Sequence, residues 1–135
     1  MSEQEKRMRG KVVREVGVRC YQAYTDNVWT NIGRTTEVQQ CQALRPPRHV
    51  TGYVRLAPYT NKGLTETDSK TSIFVVLQGE VGVEINDNKF KTTKGDSFVV
   101  PSNANYNIVN TSQDTAELFV IQYKNQEDKL FPPEF

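Results

Sequence analysis

Histidine and cysteine are scarce in this 135-residue sequence, which contains one histidine, His49, and two cysteines, Cys20 and Cys41. Two cysteines are too few for a disulfide framework, and no CxxC pair is present. We therefore expect both to be free thiols in a reducing compartment. A nucleophilic cysteine needs a nearby base, and His49 is the only histidine that could serve.

Long apolar runs are also missing. No stretch approaches the roughly 18 residues that a membrane-spanning helix needs, and the charged N-terminus lacks the apolar segment of a signal peptide. The mass of 15.4 kDa is that of one ordinary domain. The sequence therefore predicts a single-core cytosolic or nuclear protein without a membrane partner.

The net charge of +1 conceals an uneven distribution. Residues 1–55 carry ten basic and five acidic residues, whereas residues 56–135 carry seven basic and eleven acidic residues. Every arginine lies in the first part. One interpretation is direct contact with DNA. The interleaved acidic residues favour the other, a solvated extension whose arginines pair with the acidic remainder of the chain.

From residue 52 onward, short apolar segments alternate with turn residues, which is typical of β-strands. No helical period interrupts the pattern. The predicted strands are Tyr53–Leu56, Ser72–Leu77, Val81–Ile85, Lys89–Thr93, Ser97–Val100, Asn105–Val109 and Ala116–Tyr123. With a polar loop over residues 60–70, this order predicts an all-β sandwich or barrel.

One motif lies in the second half of the chain. Gly95, Pro101 and Asn110 have the spacing of G-x5-P-x-G-x2-H-x3-N, which resembles the second motif of the cupin family. Asn103 occupies the position of the second glycine of this motif, and asparagine tolerates positive φ better than most residues. Tyr106 stands at the metal-binding histidine of cupin enzymes. The resemblance implies an all-β cupin double-stranded β-helix, or jelly roll, closed around a pocket.

The other metal-binding positions of cupin enzymes are also changed. The first cupin motif ends in E-x6-G, and counting back from Gly79 reaches Ser72 rather than glutamate. Residues 65–68 hold no histidine where the family has two. Hydroxyls and scattered carboxylates bind transition metals weakly. We therefore expect no metal, no cofactor and no catalytic residue in a degenerate pocket. The predicted pocket residues are Glu66, Asp68, Ser72 and Tyr106.

A closer resemblance rests on four segments, which are Phe74–Glu80, Val83–Asn86, Lys94–Pro101 and Asn105–Asn110. Together they resemble the C-terminal dimerisation domain of the centromere protein C family, a metal-free branch of the cupins. The resemblance implies a non-catalytic homodimer that docks proteins and recruits centromere assembly factors. It also implies a location in the nucleus, at the centromere and kinetochore of the chromosome.

The same resemblance divides the chain into three parts. Residues 1–51 form an N-terminal extension on or near the cupin, residues 52–124 form the cupin domain, and residues 125–135 form a C-terminal tail. An alternative hypothesis is a sugar-isomerase-type cupin enzyme with a metal-free pocket that acts through Tyr106, His49 and carboxylates. That enzyme needs a titratable acid and base facing one cavity.

Two of the predicted strands, Ser72–Leu77 and Ala116–Tyr123, are apolar on both faces. A strand with a solvated outer face should instead alternate apolar and polar residues. A second protomer or the chain's own residues 15–51 must therefore cover the outer face. For the homodimer we predict an interface built by the alternate residues that share one face of these strands. The residues of the opposite face are the alternative. The predicted residues are Phe74, Val76, Phe119, Ile121 and Tyr123.

The basic first part also predicts a partner-binding surface. Arginine forms bidentate bonds to carboxylates, and tryptophan and tyrosine are frequent interface anchors. The expected partner is a centromere assembly factor or a kinetochore protein. The predicted residues are Trp29, Arg45, Arg48, Tyr53 and Arg55.

Overall fold

The computed structural model describes residues 19–33, 36–45 and 49–124, which are almost entirely β-strands joined by turns. The elements are α1 (Ala23–Asp26), β1 (Thr30–Asn31), β2 (Val38–Gln42), β3 (His49–Leu56), β4 (Thr65–Glu66), β5 (Lys70–Gln78), β6 (Glu80–Ile85), β7 (Asn88–Thr93), β8 (Ser97–Val100), β9 (Asn105–Val109) and β10 (Ala116–Lys124). No helix in these ranges has the length and apolar character needed to cross a membrane.

The strands form two antiparallel sheets that pack around one core. The larger sheet has the order β1-β2-β3-β10-β5-β8, and the smaller sheet has the order β4-β9-β6-β7. Buried apolar side chains from both sheets form a single cluster. This arrangement confirms the predicted all-β class and jelly-roll architecture, because each sheet buries one face against the other.

The structure places the start of the jelly roll earlier than the sequence analysis did. Strand β2 pairs with β3 from Val38 opposite Leu56 to Gln42 opposite Gly52, so Val38–Gln42 and residues 49–51 belong to the larger sheet. The predicted boundary after residue 51 falls inside β3. The apolar spacing of β2 is too sparse for a sequence pattern to identify it as a strand. Residues 1–18 and 125–135 lie outside the described residues.

The segment predicted as a polar loop over residues 60–70 contains a short strand. Thr65 and Glu66 form β4 because they pair with Tyr106 and Asn105 of β9. Two residues are too few to show a period in the sequence.

Two tight turns depend on residues that tolerate positive φ. Gly79 has a φ of 87° between β5 and β6, and a Cβ placed there would lie 3.0 Å from the Cα of Ala116. Glycine is therefore the residue that fits both the conformation and the space. Asn103 has a φ of 56°, which confirms the expectation that it replaces a glycine of the cupin motif.

The register of β5 and β10 decides which apolar side chains face the core. Phe74 and Val76 are 2% and 1% exposed and lie in the core cluster. They stand opposite Val120 and Leu118 of β10, so these four side chains share the inner face. The prediction that Phe74 and Val76 belong to an outer dimer interface is therefore wrong.

The alternative phase of β5 supplies the outer face instead. Ile73 and Val75 stand opposite Ile121 and Phe119, and all four are partly exposed. The two phases have nearly the same hydrophobicity, so alternation alone does not select between them.

The side chain of Asn110 ties the end of β9 to the end of β3. It is fully buried, and its Nδ2 donates to the carbonyl oxygens of Leu56, Ala57 and Asp114 at 3.2, 3.1 and 2.8 Å. Its Oδ1 accepts bonds from the backbone N–H and the hydroxyl of Ser112 at 3.0 and 2.9 Å. Asparagine at this motif position thus acts as a bridge between backbone segments, as its residue type predicts.

We expect Asn110→Ala to lower the free energy of unfolding by about 2–4 kcal/mol, because it leaves buried carbonyl groups without donors. Urea denaturation of the purified domain measures the change. Asn105→Ala is the matched control, since Asn105 is an exposed asparagine at the start of β9, and it should change stability by less than about 0.5 kcal/mol. Equal stability of both variants would contradict the bridging role.

Candidate functional site

A pocket of about 310 Å³ opens on the inner face of the larger sheet. Its floor is apolar and its rim carries three glutamine side chains, while one wall comes from the loop before β4 and from β9. The lining includes Val54, Phe74 and Val120 on the floor, Gln40, Gln42 and Gln122 on the rim, and Lys62, Thr65 and Tyr106 on the wall, together with Cys41 and Tyr53. A pocket of this size is at the lower end of the range for small-molecule sites.

Lys62 is the charged group of the pocket wall. Its Nζ donates to Thr65 Oγ1 at 2.8 Å and lies 4.7 Å from the centroid of the Tyr106 ring. Burial lowers the pKa of Lys62 below its ordinary value of 10.5, and no nearby carboxylate within the described ranges opposes that shift. The ammonium group is therefore partly desolvated without a negative partner.

Tyr106 forms the wall beside Lys62. Its side chain is 6% exposed and its ring centroid lies 5.8 Å from that of Phe74. Burial raises the pKa of Tyr106, and a hydrogen bond with Thr65 works in the opposite direction. The phenol therefore stays neutral near pH 7 and keeps a proton to donate.

The other predicted pocket residues lie elsewhere. Ser72 is fully buried, and Gln122 Nε2 donates to its Oγ at 3.2 Å. Glu66 and Asp68 are exposed and do not line the pocket, so the prediction that they belong to it is wrong. The reason is local: Thr65 faces inward opposite Tyr106, which turns the next residue of β4 outward.

The structure does not bring His49 to the pocket beside Tyr106, as the enzyme hypothesis specified. His49 is exposed at the start of β3 and stands opposite Tyr123 of β10. It is not part of the pocket lining. Among the described residues, no group of three or more histidine, cysteine, aspartate or glutamate side chains is arranged to hold a metal ion.

Sequence reasoning missed several residues of the pocket. The period of a strand could have placed Gln122 on the inner face, because it follows Leu118 and Val120 at a spacing of two on β10. Lys62 gave no such signal, since it lies in a loop whose path the sequence pattern does not define. Gln40 and Gln42 were missed together with strand β2.

An aromatic cluster lies on the opposite, outer face of the larger sheet. The ring of Tyr53 lies 5.3 Å from Phe119, 6.5 Å from Trp29 and 6.3 Å from Tyr21, measured between centroids. The Arg55 guanidinium carbon lies 4.0 Å from the centroid of the Trp29 ring, which is a cation–π contact. Burial raises the pKa of Tyr53.

Polar contacts hold the N-terminal part of this cluster in place. The Tyr21 hydroxyl donates to Asn27 Oδ1 at 2.6 Å and lies 3.0 Å from the buried Cys41 Sγ. Cys41 is thus a free, buried thiol, as expected. The segment before β1 therefore covers the β2–β3 side of the outer face.

The structure brings together three residues of the predicted partner-binding set. Trp29, Tyr53 and Arg55 are neighbours in the aromatic cluster and all are partly exposed. Arg45 is exposed beyond the end of β2. Arg48 lies outside the described residues. Their role in binding a partner stays a prediction.

The remaining outer face forms an apolar strip across β10, β5 and β8. Cross-strand neighbours share a face, and Phe119 stands opposite Val75 while Ile121 stands opposite Ile73. Val99 continues the row from Ile73 and is 53% exposed. We call this surface the outer strip. It consists of Ile73, Val75, Val99, Phe119, Ile121 and Tyr123.

Comparison with protein families identifies the fold and its lineage. A family model described as Mif2/CENP-C like matches residues 41–122, which run from the end of β2 through most of β10. The chain belongs to this family. The resemblance expected from its four sequence segments is thereby confirmed.

Two curated relatives share this region. Centromere protein C of Mus musculus is 35% identical over 74 residues, which are 55% of this chain and 8% of that protein. The inner kinetochore subunit MIF2 of Saccharomyces cerevisiae is 33% identical over 78 residues, which are 57% of this chain and 14% of that protein. The match therefore spans a small part of each relative's length. Both names agree with the predicted location at the centromere and kinetochore in the nucleus.

A solved structure shares the fold. The Cnp3 cupin domain of Schizosaccharomyces pombe superposes with a TM-score of 0.64 at 21% identity, over 65% of this chain and 61% of that chain. This likeness confirms the cupin fold expected from the spacing of Gly95, Pro101 and Asn110.

We expect Lys62→Met to raise the free energy of unfolding at pH 7, because the variant no longer buries an unpaired charge. Below the lowered pKa of Lys62, the ammonium is charged in both states and folding bears the full desolvation cost. As the pH rises from that pKa towards 10.5, the folded protein loses the proton first and the stabilisation of the variant should shrink.

Urea denaturation at pH 7 and at about pH 10 measures this dependence. Lys89→Met is the matched control, because it removes the same charge from an exposed position of β7. A variant that is less stable than the wild type at pH 7 would contradict the uncompensated burial of Lys62.

Proposed function

We propose that this chain is a non-catalytic homodimerisation and protein-docking domain of a centromere or inner kinetochore protein, which recruits centromere assembly factors. Membership of the Mif2/CENP-C-like family supports the centromeric setting. The observation that carries the proposal is the outer strip, an apolar surface on a sheet whose other face already forms the core.

The outer strip fits a second copy of the chain. A two-fold interface places the same patch on both protomers, so a patch must be self-complementary. The strip is apolar along β10, β5 and β8, and two such strips can bury each other as the halves of a core do. Tyr21 and Trp29 cover the β2–β3 side of the sheet, which leaves the strip on the β10–β8 side as the contact surface.

The partner-docking surface lies at the border of the strip. Trp29 and Arg55 form a partly exposed edge of the aromatic cluster, and Arg45, which is exposed beyond the end of β2, adds a positive charge. Aromatic residues and arginine are the most frequent anchors of protein interfaces. A dimer presents this surface twice, which increases the effective concentration for a bivalent partner.

The pocket chemistry supports the absence of catalysis. Tyr106 and Lys62 line it together with Tyr53 and Cys41. Burial raises the pKa of Tyr106 and so favours its neutral form, whereas burial lowers the pKa of Lys62. His49 and the carboxylates of Glu66 and Asp68 lie away from the pocket. A cupin enzyme of the sugar-isomerase type would need such groups to face one cavity.

We expect Val99→Asp to raise the dissociation constant of the dimer by about ten- to a hundred-fold, because it places an unpaired charge in an apolar interface. Val99 is 53% exposed in the monomer, so the substitution should leave folding intact. Analytical ultracentrifugation over a concentration series measures the change.

Leu64→Asp is the matched control, since Leu64 is 73% exposed and lies in the loop before β4, outside the strip. It should leave the dissociation constant unchanged. A monomeric wild type, or equal effects of the two variants, would refute the assignment of the outer strip.

We expect the double variant Arg45→Glu with Arg48→Glu to slow association with a kinetochore partner about ten-fold and to weaken its salt dependence, because rim charges steer encounter. Trp29→Ala should instead speed dissociation, since a buried aromatic anchor sets residence time. Capture from nuclear extract followed by mass spectrometry identifies the partner, and surface plasmon resonance with that partner gives both rates.

The matched control is Lys89→Glu with Lys91→Glu, which changes the same charge on β7 of the smaller sheet. It should leave both rates unchanged. Equal rates for the wild type and the arginine variant would remove the basic residues from the docking surface, and capture of DNA alone would favour the nucleic-acid interpretation of the charge distribution.

A further inference from the structure

The pocket between the sheets shares no lining residue with the outer strip or with Trp29 and Arg55, although Tyr53 of the aromatic cluster also lines it. Its floor of Val54, Phe74 and Val120 belongs to the inner face of the larger sheet, whereas the strip occupies the outer face. The proposed dimer and docking surfaces therefore leave the pocket without a role. Its volume of about 310 Å³ is sufficient for a small organic molecule.

The wall of the pocket presents one uncompensated positive charge. Lys62 Nζ uses one of its three donors on Thr65 Oγ1, and the Tyr106 ring lies 4.7 Å away. No carboxylate within the described ranges acts on Lys62. An ammonium held in a partly buried position attracts an anion more strongly than one in water, because the local dielectric constant is lower.

The loop that carries Lys62 is fixed by hydrogen bonds to β9. The backbone N–H of Lys62 donates to the carbonyl of Ile108 at 2.9 Å. The N–H of Gly63 donates to the side-chain oxygens of Asn61 and Asn107 at 2.8 and 3.0 Å. The ammonium is therefore held in place before any ligand arrives, which lowers the entropy cost of binding.

The remaining lining defines the rest of a ligand. Gln40 and Gln42 offer side-chain amides at the rim, and Gln122 keeps its amide oxygen as an acceptor while its Nε2 donates to Ser72. The floor is apolar. A suitable molecule thus has one anionic group, an apolar body and few further polar atoms.

We propose that the pocket is a binding site for a small carboxylate, whose anionic group bonds to Lys62 and the Tyr106 hydroxyl while its apolar body lies on Val54, Phe74 and Val120. A carboxylate fits better than a phosphate dianion, because a single ammonium and neutral amides balance one negative charge. The volume selects a free small molecule over a peptide segment of several residues.

Phenylacetate is a suitable probe, because it joins a carboxylate to an apolar ring small enough for the pocket. Phenylacetamide is its neutral counterpart. NMR titration of the isotope-labelled wild-type chain should give a millimolar Kd for phenylacetate, as expected for a ligand of this size, with shifts at Tyr106, Val54 and Val120. Phenylacetamide should bind at least ten-fold more weakly.

Lys62→Met should weaken phenylacetate binding at least ten-fold and leave phenylacetamide binding unchanged, while Lys89→Met should change neither. Equal binding of the two probes to the wild type, shifts outside the pocket, or no binding up to tens of millimolar would overturn the proposal. The wild-type shifts test the site even if a variant fails to fold.

A third titration distinguishes binding of a free small carboxylate from binding of a carboxylate on a protein side chain. The blocked tripeptide acetyl-Gly-Glu-Gly-amide presents the same anionic group on a peptide. Shifts of the pocket residues with this peptide but not with phenylacetate would overturn the assignment to a small molecule. Ultracentrifugation of the wild type with phenylacetate should give an unchanged dissociation constant of the dimer, so that the pocket and the outer strip are tested independently.

Discussion

The fold depends on a pair of strands, β5 and β10, that carry apolar side chains on both faces and so must be covered twice. Phe74, Val76 and Leu118 are covered by the smaller sheet. On the other face, the segment before β1 places its aromatic rings against Tyr53, which contacts Phe119. The rest of that face remains the apolar strip, because apolar area on both faces cannot be buried by one jelly roll alone.

Much of this arrangement follows from the sequence. The cupin fold follows from the resemblance of Gly95, Pro101 and Asn110 to the second cupin motif. Two of these positions have a clear backbone role, because Gly95 has a positive φ and Asn110 is a buried bridge. The phase of β5 was beyond prediction, since both phases are equally apolar and only the register with β10 distinguishes them. The contact of Lys62 with Tyr106 joins a loop to a strand 44 residues away, and local patterns contain no information on such a pairing.

The pocket shows how a cupin can lose its metal ligands and keep its cavity. Replacing histidine by Tyr106 puts a bulky neutral ring in the wall, and that ring packs against Phe74 in a tilted arrangement. Replacing glutamate by Ser72 allows a neutral hydrogen bond with Gln122. Both replacements leave neutral side chains, and Ser72 also avoids a buried carboxylate. Lys62 is the exception, since its ammonium is partly buried and no carboxylate of the described ranges acts on it.

Inner and outer surfaces are independent because they use alternate residues of the same strands. On β10, Val120 and Gln122 line the pocket while Phe119 and Ile121 lie on the outer strip. An irregularity in the pairing with β5 falls between Glu117 and Leu118, and such a bulge pins the register of the residues that follow. A slip of one residue would exchange the two faces completely. The pairing at the start of β10 therefore determines both which side chains meet a ligand in the pocket and which meet a second protomer.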